Sequence, residues 1–147
     1  RDPDSGEVLD RAAIEKELLT AVKPLVESKF RVLTDRNHRA IGGLSMGAAQ
    51  SLAIGLHNLA LFSAIAAFSG GGNRDEWEKA DAAQLNKLKV IWLGCGTEDF
   101  AYGGVKAMHD LLERKKVKHV WNESGAGHSW PNWQTYLSKY APLLFRD

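Results

Sequence analysis

Three positions in this chain hold residue types that, brought together, cleave an acyl bond: Ser45, Asp99 and His128. Ser45 lies in Gly43-Leu44-Ser45-Met46-Gly47, a G-x-S-x-G pentapeptide. That pattern suits a nucleophile elbow. A serine there sits on a sharp strand-to-helix turn, and glycines two before and two after it leave room for the turn. The N–H of the next residue, Met46, then points at the oxyanion that forms when the serine attacks. Such a serine needs a base and an acid. The base is a histidine, the side chain that takes and returns a proton near neutrality.

The surroundings of the pentapeptide fit a turn of this kind. Arg39 to Leu44 is a short apolar run and reads as a buried parallel strand. Ala48 to Leu56 is a good helix former that stops near His57-Asn58. Further apolar runs at Phe62–Phe68, Leu88–Leu93 and Lys118–Asn122 read as three more strands. Between them, Asp75–Gln84 reads as partly helical. Val105, Met108, Leu111 and Leu112 fall at helical spacing, and a last helix carries Trp133, Tyr136, Leu137, Tyr140 and Leu144 on one face, with Pro131 in its first turn. Ahead of the pentapeptide, Asp10 can cap a helix bearing Ile14, Leu18, Val22, Leu25 and Val26, which Pro24 should kink or divide. Strands alternating with helices predict an α/β fold with a parallel sheet of about four strands and flanking helices.

In such sheets the reactive groups stand on loops that leave the carboxyl ends of strands. That restricts the choice among five histidines. His38 precedes the first strand, His57 ends a helix, His109 lies within one, and His119 lies in or just before a strand. His128 alone occupies an exit loop, Gly125–Ser129, whose glycines give it freedom to reach the serine. The exit loop Gly94–Phe100 offers Glu98 and Asp99 as the acid. Asp99 is preferred and Glu98 reads as a solvated neighbour, with Asp75 a poorer choice. The Gly-rich stretch Ser69–Asn73 reads as a flexible loop, and it lacks the pattern of a phosphate cradle. The resulting chain order is Ser, Asp, His, that of α/β-hydrolases.

The bulk numbers exclude other classes. The chain has 147 residues, 44% hydrophobic and 25% charged, with 19 basic against 18 acidic side chains. A length of this order suits one domain. A net charge of +1 and the lack of a basic stripe argue against a nucleic-acid partner, and no run approaches a membrane span. The single cysteine, Cys95, allows no internal disulfide and reads as a buried, inert thiol. The start, Arg1-Asp2-Pro3-Asp4, has no signal-peptide pattern, which leaves the compartment open.

These motifs resemble the esterase D and carbohydrate esterase family 1 group, which includes feruloyl and acetylxylan esterases. The residues that carry the likeness are Asp35-Arg36, Arg39 to Gly47, Gly94 to Phe100, and Gly127-His128-Ser129-Trp130 with Trp133. Ala48 departs from it, standing where many relatives have a further glycine. The resemblance implies an α/β-hydrolase fold, ester hydrolysis through an acyl-serine, no metal and no cofactor. It implies a small-molecule or polysaccharide ester as substrate, feruloyl or acetyl esters above all, and a secreted or periplasmic setting. Thioesters such as S-formylglutathione, and acyl transfer to an alcohol, use the same three residues. Trp130 is a candidate for a substrate subsite, packing being the other reading.

One mismatch stands out. In the full fold the nucleophile follows the fifth of eight strands, yet only residues 1–38 precede the strand before Ser45. The expectation is a single domain over residues 1–147, the C-terminal portion of an α/β-hydrolase catalytic domain, without the N-terminal strands. The second oxyanion donor normally comes from the loop after the third strand. Losing one donor costs on the order of 3 kcal/mol of transition-state stabilisation. The strand before Ser45 would also have a bare edge, open to the missing segment or another copy. A catalytically silent binding or structural piece is therefore the alternative to an active esterase.

Overall fold

The computed structural model describes residues 11–146, so the capping role expected of Asp10 lies outside them. Contacts divide the chain at Thr34. The first part holds helix α1 (Arg11–Glu17), a π-helical turn (Leu18–Val22) and helix α2 (Lys23–Lys29). Pro24 leaves the helical path continuous, with Glu17, Val22 and Lys23 all at helical angles, and alters it by a widened turn rather than a break. Proline has no N–H, and its ring crowds the carbonyl four residues back. The chain switches to a longer bond, Lys23 N–H to the Leu18 carbonyl, just ahead of it.

The second part is the α/β unit. Its sheet has four parallel strands in the order β1 (Ala40–Leu44), β2 (Ala64–Phe68), β3 (Val90–Gly96) and β4 (Val120–Ser124). Helix α3 (Met46–His57) follows β1, and α4 (Arg74–Lys79) and α5 (Ala82–Leu85) follow β2. Helix α6 (Tyr102–Arg114) follows β3, and α7 (Trp130–Tyr140) follows β4. Four parallel strands with helices on both faces are the arrangement expected of the C-terminal portion of an α/β-hydrolase.

Alternation along β2 and β3 builds two apolar layers. Ile65, Ala67, Ile91, Leu93 and Cys95 face one side, where they meet Ala48 and Leu52 of α3 and Val105, Met108 and Leu112 of α6. Ala64, Ala66, Phe68 and Trp92 face the other, against Trp133, Tyr136 and Tyr140 of α7. The central strand β2 is buried at every position, whereas β1, at the sheet edge, is only half-buried. Below the sheet, Arg36 ties two loops together. Its Nε donates to the Leu59 carbonyl at 2.9 Å and its guanidinium reaches the Lys87 carbonyl at 3.1 Å.

Several expectations are corrected. Strand β3 runs on through Gly96 rather than stopping at Leu93, because pairing continues from Cys95–Glu123 to Gly96–Ser124. Strand β4 starts at Val120 rather than Lys118. The Lys118 N–H is taken by Asn86, and His119 bonds back to the Val117 carbonyl. On α7, Leu137 is exposed, and Leu144 lies past the helix end, beyond a 3₁₀ turn at Ala141–Leu143. The expected flexible loop after β2 is closely packed at its start, where a side chain on Gly70 would run into the Ser45 carbonyl oxygen at 2.2 Å.

Candidate active site

Ser45 joins β1 to α3 and has φ 54° and ψ −121°. A non-glycine residue held at such angles stores on the order of 1–3 kcal/mol of strain and persists only where neighbours over-determine it. Three neighbours do so here. The Ser45 N–H donates to the Phe68 carbonyl at 2.8 Å. Gly43 lets the first turn of α3 close in, since a Cβ there would sit 2.4 Å from the Gly47 carbonyl oxygen. Gly70 gives the Ser45 carbonyl its space. Gly47 itself is different, for a Cβ built on it meets nothing within 4 Å among the described residues. So only the first glycine of the pentapeptide is demanded by packing.

The structure brings the three sequence-predicted residues together. His128 Nε2 is 2.9 Å from Ser45 Oγ, and His128 Nδ1 is 3.0 and 3.1 Å from the two Asp99 oxygens. An ionised carboxylate only accepts, so Nδ1 carries the proton and Nε2 accepts from the serine hydroxyl. Asp99 is buried, and burial pushes its carboxyl up. Hydrogen bonds from the Ser69 hydroxyl, the Ala101 N–H and His128 outweigh that, so its pKa is held below the ordinary value. The Ala101 N–H bond is 2.8 Å long.

The loop that carries His128 is clamped, contrary to the freedom its glycines suggested. Asn132 Nδ2 donates to the Gly125 and Gly127 carbonyls at 3.1 and 3.0 Å, and the Glu98 N–H donates to the Ala126 carbonyl at 3.2 Å. The imidazole is held between two rings. Phe100 lies 4.4 Å away at 33°, and Trp133 stands edge-on at 4.9 Å. Met46 opens α3, so its N–H has no carbonyl one turn back to bond, and it lies at the positive end of the helix. Trp130 is exposed and packs edge-on against Trp133 at 5.2 Å. Glu98 and Asp75 are exposed and outside this hydrogen-bonded series. Cys95 is buried, and burial with the nearby Asp99 charge pushes its thiol up to about 12, as expected of an inert group.

Sequence reasoning missed Ser69. It follows β2 with φ 55°, is buried, accepts a hydrogen bond from Trp133 Nε1 at 3.0 Å, and its hydroxyl helps hold the Asp99 pKa down. The signal was available, since Phe68-Ser69-Gly70 leaves its strand as Leu44-Ser45 leaves the neighbouring one.

Residues 9–144 match the Esterase family, described as "Putative esterase". The chain belongs to this esterase family. An endo-1,4-β-xylanase/feruloyl esterase of Xylanibacter ruminicola is 29% identical over 132 residues, 90% of this chain and 18% of that protein. A ferulic acid esterase of Anaeromyces mucronatus, solved with ferulic acid, superposes with a TM-score of 0.74 at 25% identity, over 89% of this chain and 53% of that one. An S-formylglutathione hydrolase of Staphylococcus aureus superposes with a TM-score of 0.67 at 17% identity, over 85% of this chain and 61% of that one. This esterase chain thus spans less than two thirds of each of these relatives.

Proposed function

We propose that the protein is a serine carboxylic-ester hydrolase and that Ser45, His128 and Asp99 are its catalytic residues. The observation that carries this is the unbroken hydrogen-bonded series from Ser45 Oγ through His128 to Asp99, with the serine in a strained turn at a helix N-terminus. Ser45 Oγ attacks the ester carbonyl carbon as His128 Nε2 takes its proton. The carbonyl π electrons move to oxygen, and the Met46 N–H with the α3 N-terminus stabilises that oxyanion. Collapse of the intermediate expels the alcohol, which leaves with the proton from His128. Water then attacks the acyl-serine by the same route and restores the hydroxyl. Asp99 stays ionised throughout and holds the imidazole in the tautomer that the first step needs.

For the substrate we propose feruloyl or acetyl esters of plant polysaccharide. The feruloyl esterase relatives support this, as do the exposed aromatic rings of Phe100 and Trp130 beside His128, which suit a planar acyl group. The S-formylglutathione hydrolase likeness supports a thioester as the second reading. The half-buried edge of β1 supports a further pairing strand there, supplied by this polypeptide or by another copy.

The decisive assay compares methyl ferulate, p-nitrophenyl acetate and S-formylglutathione with the protein and its Ser45→Ala variant. Turnover of methyl ferulate that Ser45→Ala abolishes is the expected result. Turnover of the thioester alone would move the assignment to the second reading. Turnover unaffected by Ser45→Ala, or none in a folded sample, would overturn it.

A further inference from the structure

On α6 and the turn before β4, away from Ser45, three groups with ligand chemistry converge. His109 and Glu113 are four residues apart on α6 and so share a face. His119 comes from the turn that leads into β4. One ligand atom from each of the three lies within 4.8 Å of the other two. His109 Nδ1 is 2.7 Å from His119 Nε2, and Glu113 Oε1 is 3.7 Å from the same Nε2.

We infer that His109, Glu113 and His119 form a binding site for a divalent zinc ion, which staples α6 to β4. The inference does not depend on the esterase assignment. The geometry of His119 is its main support. Its side chain is almost wholly buried, and Nδ1–H donates to the Val117 carbonyl at 2.8 Å. That bond fixes the tautomer, leaving the Nε2 lone pair aimed at the other two groups. A metal-bound histidine is oriented in the same way, its second nitrogen held by a carbonyl or carboxylate. His109 is pre-positioned as well, stacked on Trp121 at 5.0 Å and 10°.

The distances suit zinc. Zn–N bonds of about 2.0–2.1 Å at tetrahedral angles place ligand atoms about 3.3–3.4 Å apart. The two imidazole nitrogens therefore open by about 0.6 Å as the metal replaces the proton between them. His109 then carries its single proton on Nε2, and no net proton is lost from either ring. Glu113 is exposed and its side chain can turn inward, leaving the fourth position to water. Two imidazoles and one carboxylate favour zinc over calcium or magnesium, which prefer all-oxygen sites.

The consequence is mechanical. Helix α6 starts at the turn that bears Asp99, and β4 ends at the loop that bears His128. A metal joining the far ends of these two elements braces the frame that sets their separation.

The test is isothermal titration of the chelator-stripped protein with zinc sulfate, with cobalt(II) absorption as a geometric readout. The expected result is one saturable zinc site per chain, tetrahedral cobalt bands and a rise in Tm with zinc. Glu113→Gln, an exposed change that leaves the fold intact, should weaken zinc at least about tenfold, and His109→Ala should weaken it further. His128→Ala should leave zinc binding unchanged. No saturable binding, equal binding in Glu113→Gln and the parent, or loss of binding in His128→Ala would each overturn the site.

Discussion

Ser45 and Ser69 follow adjacent parallel strands, and the backbone treats them almost identically. Their φ values are 54° and 55°. Each N–H donates to a carbonyl of the next strand, Ser45 to Phe68 and Ser69 to Gly94, both at 2.8 Å. Their side chains differ entirely. Ser45 Oγ faces an imidazole at the start of a helix, whereas Ser69 Oγ is buried between Trp133 Nε1 and Asp99. The comparison teaches that one turn can set a serine in two different surroundings. Under the assignment proposed above, Ser45 is the nucleophile because a base and a helix N-terminus meet it. The same turn one strand over makes a fixed hydrogen-bond relay.

Substitution at each serine separates these roles. Ser45→Ala should lower kcat by about 10⁵–10⁶-fold while leaving Tm nearly unchanged, because it removes the attacking atom and no packing. Asp99→Asn should lower kcat by about 10⁴-fold, since an amide permits the wrong imidazole tautomer. Ser69→Ala should cost only about tenfold in kcat, with KM little changed, and about 1–3 kcal/mol of stability through the unpaired Trp133 Nε1. A Ser69→Ala loss as large as that of Ser45→Ala, read in the same steady-state assay, would break the division of labour.

The relay also has a pH signature. The Asp99 pKa is depressed in the folded protein, so its bonding adds stability above the unfolded carboxyl value of about 4. That stability is lost as pH falls through the folded value. Without the Ser69 hydroxyl the folded value rises, so in Ser69→Ala acid unfolding followed by circular dichroism should begin at higher pH. An unshifted acid limb would show that Ser69 does not hold the carboxylate.

The smallest effects test the glycines. Gly43→Ala should destabilise by about 1–3 kcal/mol, because its Cβ collides with backbone. Gly47→Ala meets open space within a helix and should be neutral or stabilising by up to about 1 kcal/mol in denaturant titration.

Much of this candidate site is legible in the amino-acid sequence. Strand-exit position selected His128 from five histidines and narrowed the acid to Glu98 and Asp99, of which Asp99 was preferred, and the structure sets His128 between Ser45 and Asp99. Strand and helix periodicity gave the four-stranded parallel sheet. Partnerships made across the fold were not legible. Ser69 acquires its role from Trp133, 64 residues away, so its place after β2, though it parallels that of Ser45 after β1, does not by itself reveal that role. His109 and His119 likewise read as a helix residue and a strand-flanking residue until the α6–β4 turn brings them together. Strand ends shifted because register with a neighbour, rather than hydropathy, decides where pairing stops.

The edge-on contact between His128 and Trp133, with ring centres 4.9 Å apart, makes the protein its own optical indicator. The indole of Trp133 packs directly on the imidazole of His128, so its emission is a probe of that ring's surroundings, and replacing the other four tryptophans with phenylalanine would isolate it. Acylation of Ser45, which removes the hydroxyl partner of that ring, would then appear as a change in brightness during turnover, without a chromogenic ester.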